Sequence, residues 1–183
     1  MSGRTSASFP AAAYSWITPE PGPLLVVGTA SVPVAKRIAR SQVTVVDAAT
    51  PALQKLAIRW PSARRVAADI TRLPFRPQIF SAALVAQDLS GLSSEAFPAY
   101  ARALKPGGQL LIQCTARDDT VPWVRRLAAI LQQVNPEAMT DSANLAAVDA
   151  VAASSHFLDC AHRSFRMWVP ITKDQLLKQV DQA

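Results

Sequence analysis

The sequence lacks long hydrophobic runs and is poor in cysteine, histidine and glycine. Its 183 residues include two cysteines, two histidines and six glycines, with aromatics at 7%. No apolar run reaches the ~18–20 residues that cross a bilayer, so no membrane helix is expected. Cys114 and Cys160 cannot build a disulfide framework. Both sit among apolar neighbours, where a free thiol behaves as a small hydrophobe, and a reducing, cytoplasmic setting is expected. CxxC and paired His/Cys spacings are missing, which argues against structural zinc. His156 and His162 have no Ser, Cys or Asp at triad spacing and read as surface or interface groups. Residues 1–23 hold one Arg and no continuous apolar core, so no secretory signal is expected there.

What is present suits one globular domain. A chain 50% hydrophobic and 17% charged is too apolar for disorder, and at this length it buries roughly 70% of the surface its unfolded form would expose. The net charge of +6 invites a nucleic-acid reading. The tightest basic groups, Lys36-Arg37-Arg40, Arg64-Arg65 and Arg125-Arg126, lack interleaved aromatics on one face. Solvated helix faces explain them more simply, and nucleic acid is not expected as a partner. Attraction of an anionic substrate stays open.

Residues 1–23 are Ser-, Ala- and Pro-rich and predict an N-terminal arm, with a short helix near Ala11–Ile17. Residues 24–183 predict the domain. Leu24–Val27 is a short apolar run bounded by turn residues, as a buried parallel strand is, and Val43–Val46 is rich in β-branched residues; further strands are expected near Arg65–Ala68, over Phe80–Ala86 and over Gln109–Cys114. Between them lie helical patterns: one capped by Ser31 with Pro33 in its first turn, one opened by Thr50-Pro51, and one from Ser93/Ser94 to Leu104. Lys105–Gly108 predicts a turn. A helix over Val121–Val134 capped by Asp119 or Thr120 comes next, then an Ala-rich helix from about Ser142 to Ala153. Phe157–Trp168 predicts one bent or two short strands, and Thr172 with Gln175 a final helix. Asp118-Asp119 reads as a helix N-cap pair, and Trp60, Trp123 and Trp168 as core or edge packing.

Strands alternating with helices predict an α/β fold, Rossmann-like and doubly wound, with a mainly parallel sheet flanked by helices. Ligands in such sheets bind beyond the carboxyl ends of the strands, where strand order reverses. Gly28, Asp47, Asp69 and Gln87 all fall just past strand ends. Gly28 would let backbone approach a ligand, with free N–H groups of the next helix aimed at it. Asp47, about 20 residues on, can accept from both ribose hydroxyls of a nucleoside cofactor. Asp69 could accept from an adenine amino group. The plainer alternatives are a turn glycine, a solvated loop Asp and a turn cap.

The order strand–Gly28–helix–strand–Asp47, followed by Ala68-Asp69-Ile70-Thr71-Arg72-Leu73-Pro74-Phe75 and by Leu104-Lys105-Pro106-Gly107-Gly108-Gln109-Leu110-Leu111-Ile112, resembles class I S-adenosylmethionine-dependent methyltransferases. Arg117-Asp118-Asp119-Thr120-Val121-Pro122-Trp123-Val124 is similar to a narrower group, the trans-aconitate- and quinone-biosynthesis-type small-molecule methyltransferases, as is the tail from Phe165 to Leu177. The resemblance covers about Tyr14 to Val180. It implies S-adenosylmethionine as cofactor and a small-molecule substrate. It implies cofactor contacts at Gly28, Ala30, Asp47, Ala48, Asp69, Ile70 and Gln87, with Gln87 and Asp88 in the loop that lines the transfer site. It names no catalytic residue.

The chain also departs from that family. Val26 stands where the family has an acid, and Ala30 and Val32 stand where it has glycines. An Ala at a positive-φ glycine position and a lost charged hydrogen bond would together weaken cofactor binding by more than about a hundredfold. The family's seventh strand would come after the final helix, whereas this sequence stops at Ala183. The sheet is therefore expected to be incomplete at its C-terminal edge, and the exposed strand predicts a homodimer or a blunted edge. Two functions are consistent with these residues: a methyltransferase acting on a small molecule, or a methyltransferase-like binding or assembly protein that has lost its cofactor.

Overall fold

The structure, a computed structural model, describes residues 9–39, 42–116, 118–133 and 142–168. In chain order it contains α1 (Ala11–Trp16), β1 (Leu24–Val27), α2 (Val32–Ile38), β2 (Val43–Asp47), α3 (Thr50–Arg59), β3 (Arg64–Ala67), β4 (Phe80–Ala86), α4 (Phe97–Ala103), β5 (Leu104–Gln113), α5 (Pro122–Gln132) and α6 (Ser142–Ala152). The five strands form one sheet in the order β3-β2-β1-β4-β5, with every pair parallel. Helices flank it, as the alternation in the sequence predicts. Strand order reverses between β1 and β4.

All four residues of β1 are buried, because helices cover both faces of the central strand. The two-residue period then sorts its side chains. Leu24 and Val26 join Val43, Val45, Ala82 and Leu84 against Val34, Ala35 and Ile38 of α2 and Leu53 and Leu56 of α3. Leu25 and Val27 point the other way, with Val46, Ala83 and Val85, into a second core closed by Phe97 and Tyr100 of α4 and Val151 of α6. A one-residue slip would exchange the two sets, so the register Val26↔Val45 and Val26↔Leu84 is held by both cores. Ile17, just after α1, is buried in the first core, and Phe9 and Tyr14 pack against it. The expected N-terminal arm therefore contributes to the core.

Proline determines where four helices begin. Pro33, Pro51, Pro98 and Pro122 each occupy the first or second position of α2, α3, α4 and α5. Proline lacks an N–H and is tolerated only in a first turn. For that reason α4 opens at Phe97, not at Ser93/Ser94 as expected. The expected side-chain caps are corrected as well. Neither Ser31 nor Thr50 caps a helix with its hydroxyl: α2 and α3 both begin without a side-chain cap, α3 after Ala49. Asp118, rather than Asp119 or Thr120, accepts from the Thr120 N–H in a turn ahead of α5, whose own cap position is Val121.

The Ser31 hydroxyl is fully buried between strands. It donates to the Val27 carbonyl at 2.6 Å and accepts from the Ala86 N–H at 2.8 Å. A backbone donor at the end of β4 would otherwise have no partner in a dry place.

The Lys105–Gly108 turn lies within β5 and not before it. Phe80 pairs with Leu104 and Ala82 with Gln109, so the extra residues bulge out of the ladder, with Gly107 at φ +73°. Phe157–Trp168 forms neither the one nor the two strands expected. It has no ladder partner among the described residues, and its aromatic content alone cannot make a strand without one. It is held by side chains instead: Phe157 meets Phe97 edge-on at 6.0 Å, and Arg166 Nε pairs with Asp118 at 3.1 Å. The expected helix from Thr172 lies outside the described residues, as do Arg40, Arg117 and most of the Phe165–Leu177 tail.

Several surface expectations change too. Trp60 is half-buried beneath Lys36, whereas Trp123 and Trp168 are exposed. Cys160 is exposed rather than apolar-packed; Cys114 is half-buried, and neither forms a disulfide. Among the basic groups, Lys36 donates to the Arg59 carbonyl, and Arg102 to the carbonyls of Leu73 and Phe75. These are internal braces.

Replacing Ser31 by Ala should leave the Ala86 N–H buried without an acceptor, at a cost of about 1–3 kcal/mol. Urea unfolding of the two proteins measures it, and an unchanged midpoint would contradict the bridge.

Candidate functional site

The carboxyl ends of β1, β2 and β4 meet at a cavity of about 150 Å³, lined by Val27, Gly28, Thr29, Ala30, Asp47, Ile70, Val85, Asp88 and Ser90. It lies where strand order reverses, the place the sequence indicated.

Gly28 follows β1 at φ +73°, a conformation that L side chains rarely adopt. Its N–H donates to the Val46 carbonyl at 2.8 Å. A Cβ built there would meet no atom within 4 Å, so bare backbone faces open space. The next three residues form a 3₁₀ turn before α2. Two N–H groups of this turn are taken up within the protein. The Thr29 N–H donates to Asp47 Oδ2 at 2.6 Å, and the Ser31 N–H to the Gly28 carbonyl.

Asp47 therefore braces the loop. Its Oδ2 also accepts from the Thr29 hydroxyl at 2.7 Å, and its Oδ1 from the Ala49 N–H at 2.8 Å. Burial pushes its pKa up. The hydrogen bonds from Ala49 N–H and from the N–H and hydroxyl of Thr29 outweigh burial and hold it below the ordinary 3.8. Of about four lone-pair positions on a carboxylate, three are taken, which leaves one for a ligand hydroxyl.

The cavity brings together Gly28, Ala30, Asp47 and Ile70 of the expected set, and leaves Ala48, Asp69 and Gln87 off its lining. Asp69 turns back on its own loop, where Oδ1 accepts from the N–H and hydroxyl of Thr71, both at 2.8 Å. Those bonds lower its pKa. Ile70 reaches the cavity instead, packed so closely over Gly91 that a Cβ there would lie 2.6 Å from its Cδ1. Below it, Tyr100 donates to the Gly91 carbonyl at 3.3 Å. Burial, and then the Asp69 charge, push the Tyr100 phenol far up, so it stays a donor.

Gln87 sits at φ +73°, and this kink decides which side chain enters the cavity. Its N–H extends the β4–β5 ladder to the Gln113 carbonyl, and its amide reaches the Gln113 side chain at 3.2 Å. Asp88, one residue on, lines the cavity. Residue spacing carries no signal of that kink. Asp88 Oδ1 accepts from the Ser90 N–H at 2.9 Å.

The lining thus holds two carboxylates and no Lys, Arg or His. That donor set disfavours phosphate groups and suits a ligand carrying positive charge and hydroxyls. The enclosed volume is below the ~300–1,000 Å³ of typical small-molecule sites, so such a ligand would be enclosed in part and lie partly over the exposed rim. Among the described residues no group of three or more His, Cys, Asp or Glu could hold a metal ion.

Residues 26–108 match the family model described as a methyltransferase domain. The match runs from within β1 to the bulge of β5 and contains every residue lining the cavity. Among solved structures, the chain is similar to the YcgJ protein of Bacillus subtilis: 18% identity over 94% of this chain and 76% of that one, at a TM-score of 0.56. It is also similar to a candidate methyltransferase of Bacillus halodurans, at 18% identity over 75% of this chain and 66% of that one, with a TM-score of 0.53. At such identity these likenesses speak for the fold. The chain spans from 42% to 79% of the solved structures it resembles, and no curated protein matches it.

The loop geometry has two measurable outcomes. A folded-state pKa below 3.8 means that Asp47 contributes stability in full above that value and loses it as the pH falls through the lowered one. The stability gap between wild type and Asp47→Asn should therefore be constant near neutrality and shrink on acidification. Urea midpoints from neutral to strongly acidic pH measure it; a gap independent of pH would contradict the brace. Gly28→Ala should destabilise by on the order of 1 kcal/mol or more from backbone strain alone, since its methyl meets open space. The same unfolding measurement checks it.

Proposed function

We propose that this protein is an S-adenosylmethionine-dependent methyltransferase acting on a small molecule. The observation that carries the proposal is the cavity at the β1–β4 switch point, lined by Gly28, Asp47, Ile70 and Asp88 and free of cationic side chains, inside the stretch that matches the methyltransferase model. A sulfonium cofactor carries positive charge, an adenosine and no phosphate, and this donor set fits it.

Four of the lining residues then have a task. The Gly28 backbone gives a surface without a side chain, along which the ligand can lie. Asp47 offers its remaining lone pair to a ribose hydroxyl, and Ile70 an apolar face for the adenine. Ala30 keeps the rim low. Of the expected contact set, Ala48, Asp69 and Gln87 lie off the lining; Asp69 braces its own loop and Gln87 the end of β5. Bound there, S-adenosylmethionine supplies an electrophilic methyl group for direct displacement. Aligning nucleophile, methyl and sulfur can supply much of the rate without a general base. The Asp118–Thr120 turn ahead of α5 belongs to the stretch that resembles the trans-aconitate- and quinone-type enzymes, which supports a substrate of that size. A reducing, cytoplasmic setting suits Cys114 and Cys160, neither of which forms a disulfide. β5 has one ladder partner among the described residues, and a second copy of the chain covering its free side belongs to the same proposal.

A second function has its own support. Val26 is fully buried and brings no charge to the site, and Asp47 spends most of its acceptors within the loop. A methyltransferase-like binding or assembly protein needs nothing more.

Calorimetric titration with S-adenosylmethionine and S-adenosylhomocysteine separates the two, with Asp47→Ala as control. Micromolar binding that the variant loses is the expected result. No heat from folded protein at millimolar ligand would overturn the enzyme.

A further inference from the structure

The cavity holds an acid to which no task has been given. Val27 and Val85 are paired on adjacent strands and both line its wall; Asp88 lies three residues beyond Val85, on the same lining as Gly28. The two carboxylates there differ in what they have left to give. Asp47 accepts from three groups of the loop. Asp88 accepts only from the Ser90 N–H, through Oδ1, and its Oδ2 has no partner among the described residues. No cationic side chain shares the lining with it.

An exposed carboxylate at the mouth of a cavity without cations attracts a positively charged ligand group, and a hydrogen bond from an ammonium is stronger than one between neutral groups. S-adenosylmethionine and S-adenosylhomocysteine both carry an α-ammonium. β1, the strand leading into Gly28, offers that ammonium nothing, because its side chains Leu24–Val27 are all apolar and buried. Asp47 lies at the end of β2, on the other side of β1 from β4. We propose that Asp88 is the specificity-determining residue that holds the cofactor's α-ammonium, supplying from the β4 loop the charge that β1 lacks. The proposal rests on the cofactor assignment above. It divides the site by strand: the β2 side, with Asp47 and Ile70, serves the nucleoside, and the β4 side, with Asp88, serves the amino acid.

Asp88→Asn is the discriminating change, because Asn keeps an acceptor for the Ser90 N–H and removes only the charge. Titration calorimetry uses two probes: S-adenosylhomocysteine, which has the ammonium, and 5′-methylthioadenosine, which lacks the whole amino-acid part. The expected result is a roughly ten- to hundredfold weaker affinity of Asp88→Asn for S-adenosylhomocysteine, with 5′-methylthioadenosine unchanged. The deaminated analogue of S-adenosylhomocysteine, titrated against the wild type, should show a similar loss and does not depend on how the variant folds. If both probes bind the wild type and Asp88→Asn weakens neither, or weakens both equally, Asp88 does not hold the ammonium, although the cofactor assignment survives. Full affinity of the wild type for the deaminated analogue would overturn the proposal in the same way. If neither probe binds folded wild type, the cofactor assignment fails, and this proposal with it.

Discussion

A single hydroxyl holds the molecule together at the place where its sheet changes direction. Ser31 is the buried polar residue among the described ones, and it bonds the Val27 carbonyl and the Ala86 N–H, the last backbone groups of β1 and β4. Parallel strands at a switch point diverge beyond their ends, and each leaves backbone groups that must find partners. Ser31 supplies them from the turn between β1 and α2. In doing so it ties the ends of the two strands together beside the cavity, whose wall Val27 and Val85 form in part. A polar group in so dry a place contributes only while both its bonds are made.

Asp47 acts on the other side of the same turn. Its bonds to Thr29 and Ala49 hold the residues after Gly28 in one conformation without the further glycines that such loops can use. A carboxylate accepting three hydrogen bonds replaces backbone freedom with backbone restraint. The two acids of the cavity lining differ accordingly. One is committed to shape with a lone pair in reserve; the other, Asp88, sits on the adjacent β4 loop with one oxygen unbonded among the described residues.

The three central strands, β2, β1 and β4, were legible because each is a short apolar or β-branched run wedged between turn residues, and a sheet buried on both faces demands that pattern. Asp47 and Gly28 were legible for a related reason: a strand's end can be counted, and the residue at or just beyond it faces the switch point. The hydroxyls were not. Ser31, Thr50 and Thr120 each look like a helix cap in sequence, but a hydroxyl bonds whichever acceptor or donor the fold brings near. Ser31 found two strands, and Thr120 found Asp118. Phe157–Trp168 failed as a strand because extended backbone needs a neighbour, and neighbours are a property of the whole chain.

Sequence alone thus determined the five strands of the parallel sheet, the helices between them and the strand ends that border the cavity, since these depend on local periodicity and on which residues cannot occupy a helix or strand. Tertiary structure decided which side chains reach the cavity. Gln87 and Asp88 are adjacent in sequence and both polar, and the backbone turn at φ +73° goes with one reaching β5 and the other lining the cavity. That turn is set by the Gln87 N–H completing a ladder with Gln113, a residue 26 positions away. No pattern of neighbours along the chain contains that contact.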